Sequence, residues 1–256
     1  MKSFEAFLQL HEGSTPLLLG NIWDVNSAKI FEKAGYRAIG TSSQAVAASQ
    51  GYEDGEKMPF DTLLQLARQV VKTVDIPLTV DIEGGYSRSA SGIIEHIEKL
   101  HDAGVVGMNL EDTVVGASRT LQPPDAFQKT LSTIADHLSR KHLKMFLNIR
   151  TDGFLLGIPT ALTETIKRSL SYKDAGANGI FVPCITEIND IKAVVDATDL
   201  PVNVMCMPSL PNFTELKRLG VKRISMGPFV YSYANKKAAE AVSTIIEIDS
   251  FSFLFN

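Results

Sequence analysis

The chain has 256 residues, 45% of them hydrophobic and 21% charged, with a formal net charge of −4. This supplies one large core and excludes a disordered chain, and the slight acidic excess excludes an extended nucleic-acid face. Two cysteines, Cys184 and Cys206, in a domain of this size exclude a disulfide framework and suit a reducing cytoplasm, with both thiols expected to be buried and inert.

In chain order, residues 1–10 read as a short amphipathic helix with Phe4, Phe7 and Leu8 on one face, lacking the basic start and long apolar run of a signal peptide. No apolar stretch approaches the ~18 residues of a membrane span, so a soluble cytoplasmic protein without membrane contact is expected. From there one unit recurs. A charged helix ends in a small residue plus glycine, and a short apolar strand follows: Gly35, Gly104, Gly176 and Gly220 each mark such a stop. Pro77 and Pro201 break two further helices. The strands fall at 17–21, 38–43, 78–83, 107–111, 145–151, 179–183, 202–207 and 223–227, as nearly continuous apolar runs suited to parallel strands covered on both faces. Eight β-then-α units, with no G-x-G-x-x-G loop, predict a single (β/α)₈ barrel of TIM type. It spans 1–256 as one domain, with an extra N-terminal helix and a C-terminal helical tail.

Barrel enzymes carry their chemistry at the C-terminal ends of the strands. Here those ends read Asn21 with Trp23 and Asp24, Ser42 and Ser43, Asp81 and Glu83, Glu111 and Asp112, then Asn148, Arg150 and Asp152, and Asn203. Strand interiors read as uncharged. Asp81 and Glu83 are two apart and would share a strand face, with Glu111 ending the neighbouring strand. Three carboxylates at one point need a cation, and all-oxygen ligation suits Mg²⁺ or Mn²⁺; a nearby Arg or Lys is the alternative partner for Asp81. The five histidines fall in helices or at their ends, as packing or surface residues rather than zinc ligands. The planar fork of Arg150 suits a carboxylate or phosphonate, unless Asp152 or Glu111 takes it. Ser42 and Ser43 could bind a substrate carboxylate or cap a helix. The loops 51–56 and 113–122 are each a candidate lid or source of a catalytic acid, with a plain solvated turn as the alternative.

The runs Trp23-Asp24, Gly40-Thr41-Ser42-Ser43, Gly51-Tyr52-Glu53-Asp54, Val80-Asp81-Ile82-Glu83-Gly84-Gly85-Tyr86, Gly107 to Asp112 and Asn148 to Asp152 occur in this order on successive strands. Over essentially its whole length the chain resembles the isocitrate lyase/phosphoenolpyruvate mutase superfamily. The resemblance implies Mg²⁺ ligated directly by Asp81, with Glu83 and Glu111 acting through its waters. It places Asp54 beside the metal water and substrate, Ser42 and Ser43 on the carboxylate of a 2-oxo acid, and Arg150 on the group that leaves or migrates. Asp54, Glu111 and Arg150 are then the candidate catalytic residues. Trp23, Ser42, Ser43, Asp81, Arg150 and Asn203 form the candidate substrate-binding set.

The departures bear on chemistry. Glu83 stands where the mutases typically have Asp. The loop after Asp112 has neither the Lys-Lys-Cys-Gly-His segment of the isocitrate and methylisocitrate lyases nor the lysine of the mutases and phosphonopyruvate hydrolases. Arg119 is its cation and a poor proton donor, which leaves Tyr52 or Tyr86 as alternatives. The expected function is a Mg²⁺-dependent carbon–carbon lyase acting on a small 2-oxo or 2-hydroxy dicarboxylate through a metal-stabilised enolate. P–C chemistry is the second reading, and a barrel that binds 2-oxo acids without turnover the third. The apolar tail 245–255 predicts burial against a partner, and the resemblance implies a homotetramer or dimer with exchange of the last helix.

Overall fold

The computed structural model describes residues 2–116 and 118–255. Helix α1 (Phe4–Glu12) comes first, its N-cap Ser3 accepting the Ala6 N–H at 3.2 Å. Segments β1 (Leu17–Leu18) and β2 (Gly20–Ile22) then form two halves of one extended run. The first half pairs in parallel with β11 (Arg223–Ser225), and the second with β3 (Ile39–Thr41). A run bonded on one side to the last strand and on the other to the next closes the sheet on itself. Around the ring from β3 follow β4 (Leu78–Asp81), β5 (Gly107–Glu111), β8 (Phe146–Arg150), β9 (Gly179–Val182) and β10 (Val202–Met205), all parallel. Counting β1 and β2 as one strand, this is the expected eight-stranded barrel.

Helices α2 (Val25–Lys33), α4 (Phe60–Thr73), α5 (Ala90–Asp102), α6 (Pro124–Arg140), α7 (Ala161–Asp174), α8 (Ile188–Ala197) and α9 (Phe213–Leu219) join successive strands, and short α3 (Ser43–Ser49) lies at the mouth. The four glycine stops hold: Gly35, Gly104, Gly176 and Gly220 all have φ between 89° and 97°, the left-handed region that ends a helix and turns the chain into its strand. The segment after β5 differs from the expected loop. It is an antiparallel hairpin of β6 (Thr113–Val115) and β7 (Arg119–Leu121). Helix α10 (Phe229–Ile248) buries none of its side chains. Among the described residues no helix is long and apolar enough to cross a membrane.

Two apolar regions build the barrel. The larger lies between sheet and helices; the smaller comprises Phe7, Leu17, Leu19, Ala38, Val106 and Phe146, at the N-terminal ends of the strands, where α1 plugs the barrel. His11 stacks on Phe146 at 4.3 Å between centroids, and Phe7 meets Phe146 edge-on at 5.4 Å. Gly107 makes room for the plug, since a Cβ there would lie 3.0 Å from the Phe7 ring. Above the plug the interior is polar and, contrary to expectation, charged. Arg223 is 1% exposed. Its Nη2 donates to Asn109 Oδ1 at 3.3 Å, while Nε and Nη1 have no hydrogen-bond partner among the described residues. The sequence places it correctly as the first residue of the last strand, but strand interiors read there as uncharged and its burial is not anticipated.

The plug carries a pH signature. His11 Nδ1 donates to the Phe7 carbonyl at 2.9 Å, and burial, followed by the positive charge of Arg223, lowers its pKa from 6.5 to about 3. Between those values the unfolded chain binds a proton that the folded chain refuses, so stability falls as pH drops below 6.5, by about 1.4 kcal/mol per unit at most. Urea unfolding at about pH 7.5 and about pH 5.5 should show that loss in the wild type and much less of it in His11→Gln. Equal losses in both would remove His11 as the cause.

Candidate active site at the barrel mouth

The strand ends surround a cavity of about 390 Å³. Of the residues singled out in the sequence, Asn21, Ser42, Ser43, Asp54, Asp81 and Arg150 line it, joined by Arg119 from the hairpin. Ser42 caps α3, its Oγ accepting the Ala45 N–H at 3.5 Å. Ser43 Oγ donates to Asp81 Oδ2 at 3.1 Å, and the Asp81 N–H donates to Thr41 Oγ1 at 2.8 Å. Strand β4 and the start of α3 therefore hold the serines and Asp81 on one wall. Asp81 is only 8% exposed; burial raises its pKa and the Arg150 charge draws it back.

Glu83 does not share that wall. Strand β4 ends at Asp81, and Glu83 has φ 50°, which breaks the two-residue alternation on which the sequence expectation rested. Its carboxylate instead accepts the Glu56 N–H, 3.0 Å from each oxygen, and the Tyr86 hydroxyl at 3.4 Å. Burial, then the charges of Asp81 and Asp54, push its pKa up to about 8. Glu56 completes this tie: its side chain accepts the Tyr86 N–H at 2.7 Å and pairs with Arg88. The 51–56 loop is thereby fastened to the turn after β4, a role that the sequence signalled only as an acid among glycines.

Glu111 is also turned away from the predicted convergence, towards two guanidinium groups. Oε1 takes Arg119 Nη1 and the Thr113 hydroxyl (2.8 Å for the latter), and Oε2 lies 3.1 Å from Arg150 Nη1. Arg150 binds Asp152 with both Nε (2.6 Å) and Nη2 (3.0 Å), so both partners that the sequence offered as alternatives are engaged. Burial raises the Glu111 pKa, and the two arginines oppose it. Behind them Asp112 is fully buried, accepting Arg168 at 3.0 Å and the Tyr172 hydroxyl at 2.8 Å, which anchors the base of the hairpin.

Among the described residues no group of three His, Cys, Asp or Glu side chains is gathered as a metal site. Asp81, Glu83 and Glu111 do not meet at one point, because of the φ of Glu83 and the arginines on Glu111. The donor chemistry still suits a hard cation. Asp54 and Asp81 line one cavity, and Glu83 feels the negative charges of Asp81, Asp54 and Glu111, a crowding that a divalent ion relieves. Trp23 and Asn203 lie off the cavity wall. Trp23 meets Tyr231 edge-on at 5.3 Å, and Asn203 lies within the barrel, accepting from Asn148 at 3.2 Å and donating to Ser225 Oγ at 3.1 Å. Among the described residues no histidine lines the cavity, and neither does Tyr52 or Tyr86. Cys184 is half-buried and Cys206 exposed, so neither is the fully buried thiol expected.

Comparison with known proteins places this architecture. The family model for phosphoenolpyruvate phosphomutase matches residues 7–246. An uncharacterised Mycobacterium tuberculosis protein is 34% identical over 241 residues, 93% of this chain and 89% of its own length. The 2-methylisocitrate lyase of Salmonella typhimurium is 27% identical over 252 residues, 94% of this chain and 84% of its own. The crystal structure of a Burkholderia cenocepacia protein provisionally described as a phosphonomutase superposes with a TM-score of 0.89 at 36% identity, over 95% of this chain and all of that one. The closed barrel, the acidic and guanidinium groups at its mouth and these matches agree: the chain belongs to the phosphoenolpyruvate phosphomutase family of the PEP mutase/isocitrate lyase superfamily of lyases and mutases.

Proposed function

We propose that the protein is a Mg²⁺-dependent carbon–carbon lyase acting on a small 2-oxo or 2-hydroxy dicarboxylate. The observation that carries this reading is one small cavity lined both by Asp81 with Ser43 and by a rigidly held Arg150. Such a cavity suits a short chain with an anionic group at each end. Ser42 and Ser43 offer hydroxyls to the carboxylate beside the oxo group. Arg150, fixed by the bidentate Asp152 contact, orients the far end, and a fixed fork loses little entropy on binding. Asp54, on the 51–56 loop, stands where a proton or water can be handled. Asp81 would hold Mg²⁺, or Mn²⁺, with Glu83 and Glu111 acting on its waters; the ion supplies positive charge against the enolate oxygen that develops as the bond breaks. The likeness to 2-methylisocitrate lyase supports carbon–carbon cleavage. A second reading, P–C chemistry, is favoured by the phosphoenolpyruvate phosphomutase match and opposed by the absence of lysine from the hairpin.

The test is release of pyruvate or glyoxylate from oxaloacetate, isocitrate, 2-methylisocitrate and phosphonopyruvate, with and without Mg²⁺. Metal-dependent release from oxaloacetate, isocitrate or 2-methylisocitrate, reduced by at least about 10²-fold in Asp81→Ala, is the expected result. Release from phosphonopyruvate alone would establish the second reading. Silence on all four with Mg²⁺ bound would point to a binding barrel.

We also propose a homo-oligomer, a dimer or tetramer with exchange of the C-terminal helix. Ile246 is 79% and Phe255 85% exposed, alongside exposed Val242 and Phe251, more apolar surface than an isolated terminus sustains in water. Light scattering should report a multiple of the chain mass, collapsing to the monomer in Val242→Glu/Ile246→Glu. A monomeric wild type would contradict this.

A further inference from the structure

Arg119 has no assigned role in the site as read from the sequence, yet it lines the cavity. The hairpin places it firmly. Its position on β7 pairs with Val115 on β6, and the Gln122 N–H closes the base by donating to the Asp112 carbonyl at 2.8 Å. Val115 in turn packs beside Gly55, where a Cβ would lie 3.0 Å from its Cγ1. Arg119 is thus held between the hairpin and the 51–56 loop.

Its donors are unevenly used. Nη1 serves Glu111, Thr113 Oγ1 (3.1 Å) and Asp152 Oδ2 (3.2 Å). Nη2 makes no hydrogen bond among the described residues, and Asp54 Oδ2, the carboxylate oxygen it approaches, is 4.0 Å away. Arg119 and Arg150 each take one oxygen of Glu111, and both reach Asp152. The carboxylate of Glu111 therefore sits between two guanidinium forks, and both forks also border the cavity. With Nε and Nη2 of Arg150 on Asp152 and its Nη1 beside Glu111, Arg119 Nη2 is the group of the pair left to meet a ligand carboxylate in the cavity.

We infer that Arg119 and Arg150 form one anion subsite, which takes the second carboxylate of the substrate and makes Arg119 a specificity residue. This rests on the dicarboxylate reading above and deepens it by adding Arg119 to Arg150 as the residue that selects for the second carboxylate. A monocarboxylic acid leaves the Arg119 Nη2 donors unspent. A dicarboxylate meets them with a charge-assisted hydrogen bond, worth more than a neutral one. Lysine would keep the charge but lose the fork.

The test is calorimetric titration of malate and of lactate, which differ by one carboxylate, with Mg²⁺ present, into the wild type, Arg119→Met and Arg119→Lys. The wild type should bind malate about tenfold or more tighter than lactate. Arg119→Met should weaken malate about 10- to 100-fold and leave lactate unchanged, with Arg119→Lys between. Arg119→Lys, which keeps a positive charge beside Glu111, decides the matter if Arg119→Met does not fold. Parallel weakening of both ligands, or no change in either, would mean that Arg119 only braces Glu111 and would overturn the subsite. A wild type that binds lactate at least as tightly as malate would overturn it while leaving the 2-oxo acid site standing. Binding of neither ligand would remove both.

Discussion

Five carboxylates, those of Asp54, Asp81, Glu83, Glu111 and Asp152, share the barrel mouth with two guanidinium groups, those of Arg119 and Arg150. Buried charge of one sign is expensive unless it is paired, and much of the architecture above the strands answers this constraint. Arg150 and Arg119 neutralise Glu111 and Asp152. The Glu56 N–H and Tyr86 hydroxyl serve Glu83, and Ser43 serves Asp81. What stays uncompensated is concentrated on Asp81 and Glu83: burial raises both pKa values, with the charge of Asp54 adding to the rise at Asp81 and those of Asp81 and Asp54 at Glu83. That residue of negative charge is what a divalent cation would answer.

The supporting elements follow from the same need. The hairpin β6–β7 brings Arg119 over Glu111, and the buried Asp112–Arg168–Tyr172 cluster ties its base to α7. The turn after β4 takes φ values of 50° at Glu83 and 55° at Tyr86, uncommon for residues with side chains, and Glu56 holds both through hydrogen bonds. Strain and charge are thus concentrated on the face where function sits, while the plugged end beneath is apolar and tightly packed.

The barrel was legible because its signals are local and repeat. A glycine at each of four helix ends has one conformation to adopt, and the short apolar runs after them leave few alternatives to parallel strands. The side chains at strand ends were legible for the same reason: Asp81 and Arg150 close their strands, and Ser43 opens α3 two residues after β3 ends. The hydrogen bonds of Glu83 were not legible because a single residue of positive φ beyond the strand end interrupts the two-residue alternation without changing composition. Arg119 was seen as a cation in a loop, but its place over Glu111 depends on a hairpin whose register no periodicity announces. Burial of Arg223 depends on neighbours far away in sequence, β1 and β10 beside it and Asn109 of β5, and Asn203 looked accessible because a strand position alone does not show which layer of the barrel it reaches.

The central claim is that the acidic charge left on Asp81 and its neighbours is a cation site. Titration of Mn²⁺ followed by its paramagnetic resonance signal, on the wild type and on Asp81→Asn, tests it without depending on any substrate. The account predicts about one bound Mn²⁺ per chain, displaced by Mg²⁺ and lost in Asp81→Asn with the fold intact. A wild type that binds no Mn²⁺, or a variant that binds it equally well, would contradict it.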